Sequence, residues 1–360
     1  MALKVTVVGC GAVAQRLYRR PLQQLEKRDI VRVTGLVDTD RARRDEMLAA
    51  FPRAVSSDDL EGTLSAAGSE LALVLTPGHL HAIHTAAAVS HGHHVLCEKP
   101  MATTEADAAQ MRTAAEQAGR VLGIGMVRRF LPAFLELKEW VDAGRIGRVE
   151  RVEYREGHRF DWDITTADAF RRRGMDGGGV LSDIGPHALD LLIWLLGPLT
   201  VRSCRDDALE GGEANVVLDI DAAGCSGIVQ LSWDVPLANE LRLFGSRGEA
   251  VLRLDQFDQL AIRTGDEYEA VTSARTYPAD LASPPGKRLC PTLYTQAIFC
   301  QLIQMVRAIR LGEAPAVGAD VGEQCTAVIA AARRLARSLP MPWLDEARAR
   351  AFEARHWSRV

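Results

Sequence analysis

A short apolar run, Val5-Thr6-Val7-Val8, passes directly into Gly9-Cys10-Gly11-Ala12-Val13-Ala14. This is a Gly-x-Gly-x-x-Ala pattern between a strand and a helix, and few folds accommodate it. Gly9 permits a tight turn, Gly11 lets the backbone approach a bound group, and Ala14 lets the helix pack close to the strand. The helix then begins with unbonded N–H groups and a partial positive charge, which suit a pyrophosphate. Taken alone the turn is ambiguous, because glycine ends many strands for purely structural reasons.

Its surroundings repeat the alternation of strand and helix. Residues 31–37, 71–75, 95–97 and 121–124 read as further buried strands, with helical patterns at 41–50 and in the Ala-rich stretch 103–118 between them. Strands alternating with helices imply a doubly wound parallel sheet, a Rossmann domain covering residues 1–125. After Gly125 the pattern changes. Residues 148–155, 214–220, 227–233 and 241–244 look like longer strands with the alternation typical of antiparallel sheets. Helical patterns follow at 132–143, 187–196, 294–310 and 322–338, and a Pro-, Ser- and Ala-rich stretch at 272–290 reads as a loop. A second domain is therefore expected over 126–340, followed by a charged, helix-prone extension at 341–360.

Composition narrows the partners. A net charge of −4 favours neither nucleic acid nor an anionic membrane surface. No apolar run approaches the ~18–20 residues that span a bilayer, and the immediate first strand leaves no room for a signal peptide. Seven cysteines, without a Cys-x-x-Cys pair, argue against a disulfide framework or structural zinc and for a cytoplasmic protein. His79, His81, His84, His91, His93 and His94 crowd one stretch. They lack a carboxylate or cysteine at ligand spacing before Cys97, so no metal is expected.

The second strand ends at Asp38, where a carboxylate would accept hydrogen bonds from the hydroxyls of an adenine ribose. The competing reading is an N-cap for the helix starting near Arg41. A carboxylate there would repel a 2′-phosphate, favouring NAD; Arg41, Arg43 and Arg44 are near enough to keep NADP open.

Two later motifs, Thr76-Pro77-Gly78-His79-Leu80-His81 and Cys97-Glu98-Lys99-Pro100, fall at carboxyl ends of strands, where open parallel sheets bind ligands. Proline after Lys99 biases the lysine towards extended geometry. Further on, Asp183 and His187 stand four apart after the run Gly177-Gly178-Gly179, so one helical turn would point both the same way. Singly each has an ordinary explanation: a solvated lysine, a capping aspartate, a structural histidine.

Together, the turn at Gly9, Glu98-Lys99-Pro100, Arg129-Phe130 and the Gly-rich stretch running through Asp183, His187 and Asp190 resemble the Gfo/Idh/MocA oxidoreductases over nearly the whole chain. The resemblance implies that the second domain is an α/β unit whose open, mainly antiparallel sheet covers a polyhydroxylated substrate and pairs subunits into a homodimer or homotetramer. It implies cofactor contacts at Gly9, Gly11, Ala12, Val13, Ala14, Asp38, Thr76, Pro77, His81, Glu98, Lys99 and Arg129. Lys99, Asp183 and His187 match the family's catalytic residues. The implied reaction is hydride transfer between nicotinamide and a secondary alcohol of a sugar or cyclitol. His187 would take the hydroxyl proton, Lys99 would stabilise the oxygen, and Asp183 would hold the hydroxyl or orient His187. His158, Arg159 and Trp162 lie where the family draws substrate contacts. Arg171, Arg172 and Arg173 would suit a phosphate on an activated sugar. Two other readings stay open: a redox-assisted glycosidase, and a dinucleotide-sensing regulator, against which the intact Lys99, Asp183 and His187 argue.

Overall fold

The computed structural model describes residues 1–159, 178–208, 212–275 and 292–339. The chain forms two compact units, Met1–Phe134 with Ala274–Thr326, and Leu135–Ser273 with Ala327–Val360.

In the first unit six strands, β1 (Leu3–Val8), β2 (Val31–Val37), β3 (Val55–Ser57), β4 (Leu71–Val74), β5 (His94–Cys97) and β6 (Leu122–Ile124), stand in the order β3-β2-β1-β4-β5-β6. Every neighbouring pair is parallel. The order turns back at β1, between β2 and β4, which creates the crevice that doubly wound sheets use for ligands. Val5, Val7 and all of β4 are buried, as expected of strands covered on both faces. The crossover helices are α1 (Arg19–Lys27), α2 (Arg41–Ala50), α3 (Leu60–Ala66), α4 (His81–Ser90) and α5 (Glu105–Gln117). Side chains fix three of their starts: Asp40 caps α2, Asp59 caps α3 and Thr104 caps α5. The cap of α2 is thus Asp40, and Asp38 is available for another task.

The second unit is built on a nine-stranded sheet. Its strands are β7 (Val149–Gly157), β8 (Thr200–Asp206), β9 (Asn215–Ala222), β10 (Cys225–Ser232), β11 (Glu240–Gly245), β12 (Gly248–Arg253), β13 (Gln259–Arg263), β14 (Glu269–Thr272) and β15 (Ala336–Ser338). The order is β14-β13-β12-β11-β7-β10-β9-β8-β15. Among the described residues only β7–β10 and β8–β15 pair in parallel, so the sheet is mainly antiparallel. Alternation sorts its faces. Val152, Tyr154, Leu218, Ile220, Leu241 and Leu243 are buried, while Glu153 and Arg242 between them pair with Arg155 and Glu240. The helix Gly185–Leu196 is buried nearly all round, as its apolar sequence requires.

Two boundaries differ from the sequence expectation. The helix Ala319–Leu335 stops short of Ser338, because Ala336–Ser338 extends and pairs with β8. Residues 274–326, expected in the second domain, cluster with the first. Side chains of the helix Thr292–Leu311 explain this: Gln301 bonds Tyr18, and Met305 packs against Gly123 at the β6 end. Among the described residues no helix is long and apolar enough to cross a membrane.

Candidate active site

The glycine turn is shaped by close contact on one side and open space on the other. Gly9 has φ +96°, and a Cβ there would lie 2.8 Å from the Leu75 carbonyl carbon, so only glycine fits. A Cβ on Gly11 would meet no described atom within 4 Å, leaving room for a bound group to approach the backbone. Ala14, fully buried, begins a π-helical turn, Ala14–Tyr18, that leads into α1.

Asp38 is fastened to this turn. Its Oδ2 accepts the Cys10 N–H at 2.7 Å and its Oδ1 accepts the Asp40 N–H at 2.9 Å. The three arginines beyond it are engaged locally. Arg41 faces Asp45 at 3.6 Å, Arg43 faces Asp40 at 3.4 Å, and the Arg44 guanidinium donates to the Asp38 carbonyl. Burial and the adjacent Asp38 carboxylate push the Cys10 thiol up to about 12, so it is a buried, unreactive group.

The ends of β4 and β5 are tied together by His81. This residue, only 1% exposed, has Nδ1 at 2.7 Å from the Pro100 carbonyl and Nε2 at 2.7 Å from the Thr76 carbonyl. Both ring nitrogens thus face backbone carbonyls of the protein itself. The Thr76 hydroxyl in turn bonds His84 at 3.0 Å.

Glu98 is likewise turned inward. Its Oε1 accepts the Tyr18 hydroxyl at 2.6 Å, and Gln301 Nε2 donates to that same hydroxyl at 3.0 Å. Its Oε2 accepts the backbone N–H of Lys99 at 3.0 Å. Burial raises the Glu98 carboxyl above its ordinary range, with the Tyr18 bond and the Lys99 charge opposing. The Lys99–Pro100 peptide is cis. Lys99 thus leaves β5 from a backbone held by Glu98 before it and by His81 through Pro100 after it. The Arg129 guanidinium, mostly buried, donates to the Ala316 carbonyl at 3.2 Å.

In the second unit Asp183 is half-buried, while His187 and Asp190 are buried. The helix Gly179–Asp183 joins the helix Gly185–Leu196 through Ile184, whose backbone stays helical, so Asp183 and His187 keep the expected one-turn spacing. His158 and Arg159 lie exposed just past β7, with the His158 N–H on the Ser232 carbonyl at 3.2 Å. Trp162 and the run Arg171, Arg172 and Arg173 lie outside the described residues, as do Cys290 and the extension 341–360. Among the described residues no group of His, Cys, Asp or Glu is arranged to hold a metal ion. Tyr18, Gln301, Glu213 and Arg333 support the candidate residues and were absent from the sequence reading; none belongs to a local motif.

The strand order and the acid-bearing glycine turn define a dinucleotide-binding protein of the Rossmann class. The chain belongs to the Gfo/Idh/MocA family: residues 3–126 match the model described as "Oxidoreductase family, NAD-binding Rossmann fold", and residues 134–251 match the family's C-terminal domain. D-glucoside 3-dehydrogenase of Escherichia coli (strain K12) is 29% identical over 212 residues, covering 56% of this chain and 56% of that protein. Inositol 2-dehydrogenase of Burkholderia multivorans is 31% identical over 199 residues, 55% of each chain. The chain thus aligns with only about half the length of these curated relatives. The fold extends further: a 3-ketoreductase from Actinomadura kijaniata, solved with NADP and TDP-benzene, superposes with TM-score 0.78 over 95% of this chain and 100% of that one, at 20% identity.

Proposed function

We propose that the chain is an NAD-dependent dehydrogenase acting on a secondary alcohol of a sugar or cyclitol, or on the corresponding ketone in reverse. The observation that carries this reading is the fastening of Asp38 to the glycine turn, together with family membership. The residues present fit the cofactor. The open side of Gly11 leaves space for the pyrophosphate, the helix start after it offers N–H groups, and each Asp38 oxygen keeps acceptor capacity for ribose hydroxyls. The Asp38 carboxylate itself would repel a 2′-phosphate, which favours NAD over NADP. Thr76, Pro77 and Arg129 are proposed to line the nicotinamide end.

When bound, NAD supplies the hydride acceptor. On the chain's side, we assign His187 as the base that takes the proton from the substrate hydroxyl. Histidine is the side chain most often suited to that transfer at neutral pH. Lys99 stabilises the negative charge that grows on the same oxygen. Asp183 holds a neighbouring hydroxyl or orients His187. His158 and Arg159 are proposed substrate contacts, and pairing of subunits into a homodimer or homotetramer is proposed with them.

The test is a panel of sugars, inositols, aminocyclitols and nucleotide-linked sugars offered with NAD or NADP, read as absorbance of the reduced cofactor. Steady accumulation of NADH is expected with at least one polyol. Product formed without net NADH would instead indicate a redox-assisted glycosidase, and tight NAD binding without turnover on any member would indicate a regulator.

A further inference from the structure

Glu213 lies just before β9, outside every motif that pointed to the site, and is 1% exposed. Gly178 and Gly179 both have positive φ, +56° and +79°. A Cβ on Gly179 would fall 2.2–2.4 Å from the Glu213 carboxyl atoms, so the carboxyl packs directly on the glycine backbone. From there it meets the start of the helix Gly179–Asp183, whose first N–H groups have no partner within the helix. Oε1 accepts the Leu181 N–H at 3.1 Å, and the carbonyl of Glu213 accepts the Val180 N–H at 2.8 Å. The same ladder continues to the candidate base: Ile184 N–H to the Val180 carbonyl at 2.8 Å, then His187 N–H to the Ile184 carbonyl at 3.0 Å. Arg333 holds the turn from another side, donating to the Gly178 carbonyl at 3.1 Å and to the Ser182 hydroxyl.

We propose that Glu213 is a positioning residue for the reaction, locking the helical turn that carries Asp183 and His187. The proposal rests on the functional reading of those two residues given above. Burial raises the Glu213 carboxyl to about 7; Asp206 acts in the same direction and Arg333 opposes it. Oε2 meets no hydrogen-bond donor among the described residues. The carboxyl therefore changes charge near neutral pH while Oε1 keeps its bond to Leu181 in both forms. Glutamine reproduces the neutral form in shape and in acceptor.

The experiment compares Glu213→Ala and Glu213→Gln in the full chain. Hydrogen exchange at the Val180 and Leu181 amides is measured first, because it needs no substrate. NAD affinity, kcat, KM and the pH profile follow with the polyol that the panel identifies. Glu213→Ala is expected to speed exchange at both amides about tenfold or more. It should lower kcat by about 10–100-fold, the size of effect a small misplacement has, with KM and NAD affinity changed less than about threefold. Glu213→Gln, which keeps the acceptor to the Leu181 N–H, is expected to restore kcat to within about threefold and exchange at both amides to near the wild-type rate. A folded Glu213→Ala protein with exchange and kcat within twofold of wild type overturns the proposal, as does a glutamine variant no better than alanine. If Glu213→Ala does not fold, Glu213→Asp, whose shorter side chain withdraws the carboxyl from the Leu181 N–H, decides: exchange and kcat within twofold of wild type overturn the proposal. A wild type inactive on every polyol defeats the functional reading, and the exchange measurement then still decides whether Glu213 holds the turn.

Discussion

Asp38 can be read two ways in the sequence, as an acceptor for ribose hydroxyls or as a helix cap. As an acid before a helix it looked like a cap, but Asp40 takes that role, and Asp38 bonds the Cys10 N–H instead. Replacing Asp38 with alanine is expected to lower kcat/KM with NAD by about 10-fold or more, the worth of a charge-assisted hydrogen bond. The NADP to NAD ratio should rise by a similar factor, read from initial rates with each cofactor. Lys99→Met and His187→Asn are each expected to lower kcat by ~10²–10⁴-fold, the range of acid–base and electrostatic contributions. Both should bind NAD within a few-fold of wild type in a fluorescence titration. A His187→Asn protein retaining most of its kcat would remove that residue from its proposed role.

Between elements, the buried network of Tyr18, Glu98 and Gln301 joins the turn before α1, the end of β5 and the helix Thr292–Leu311. Tyr18→Phe removes one donor from a buried carboxyl and leaves Gln301 without that acceptor. It is expected to cost about 1–3 kcal/mol, measured by urea unfolding, and to perturb the backbone that presents Lys99. This network marks the limit of what the sequence discloses. The glycine turn, the Glu98-Lys99-Pro100 run and the Asp183–His187 spacing are local patterns, each set by geometry within a few residues, and the strand–helix alternation is similarly local. Tyr18 and Gln301 lie far apart along the chain, and no periodicity couples them. The same holds for β15: residues 336–338 continue a helical pattern, and only β8, distant in sequence, draws them into a sheet. Glu98 and His81 were visible in their motifs, but their inward orientation depends on partners contributed by other elements.

For the whole molecule, two buried carboxyls contribute a fall of stability with rising pH. Glu213 is raised to about 7 by burial, and Glu98 is raised as well. A carboxyl that holds its proton more tightly when folded stabilises fully below its unfolded value, near ~4.3, and loses that contribution as pH rises through its folded value. For Glu213 the loss between about pH 4.5 and 7 is on the order of 3 kcal/mol. Midpoints of thermal unfolding should fall across that window in wild type and change less in Glu213→Gln. A glutamine variant with an equally steep fall would assign the dependence elsewhere.

The first unit takes its residues from two stretches, 1–134 and 274–326, with the second sheet encoded between them. In the order of synthesis, the helix that carries Gln301 and Met305 therefore follows β7 to β14, and Tyr18 and β6 gain those partners late. A fragment of residues 1–134 is expected to show weaker NAD binding and broad, non-cooperative melting, and adding residues 274–326 through a flexible linker should restore a single transition. Cutting the protein at the glycine-turn domain's apparent edge would thus separate a sequence motif from the segment that completes its fold.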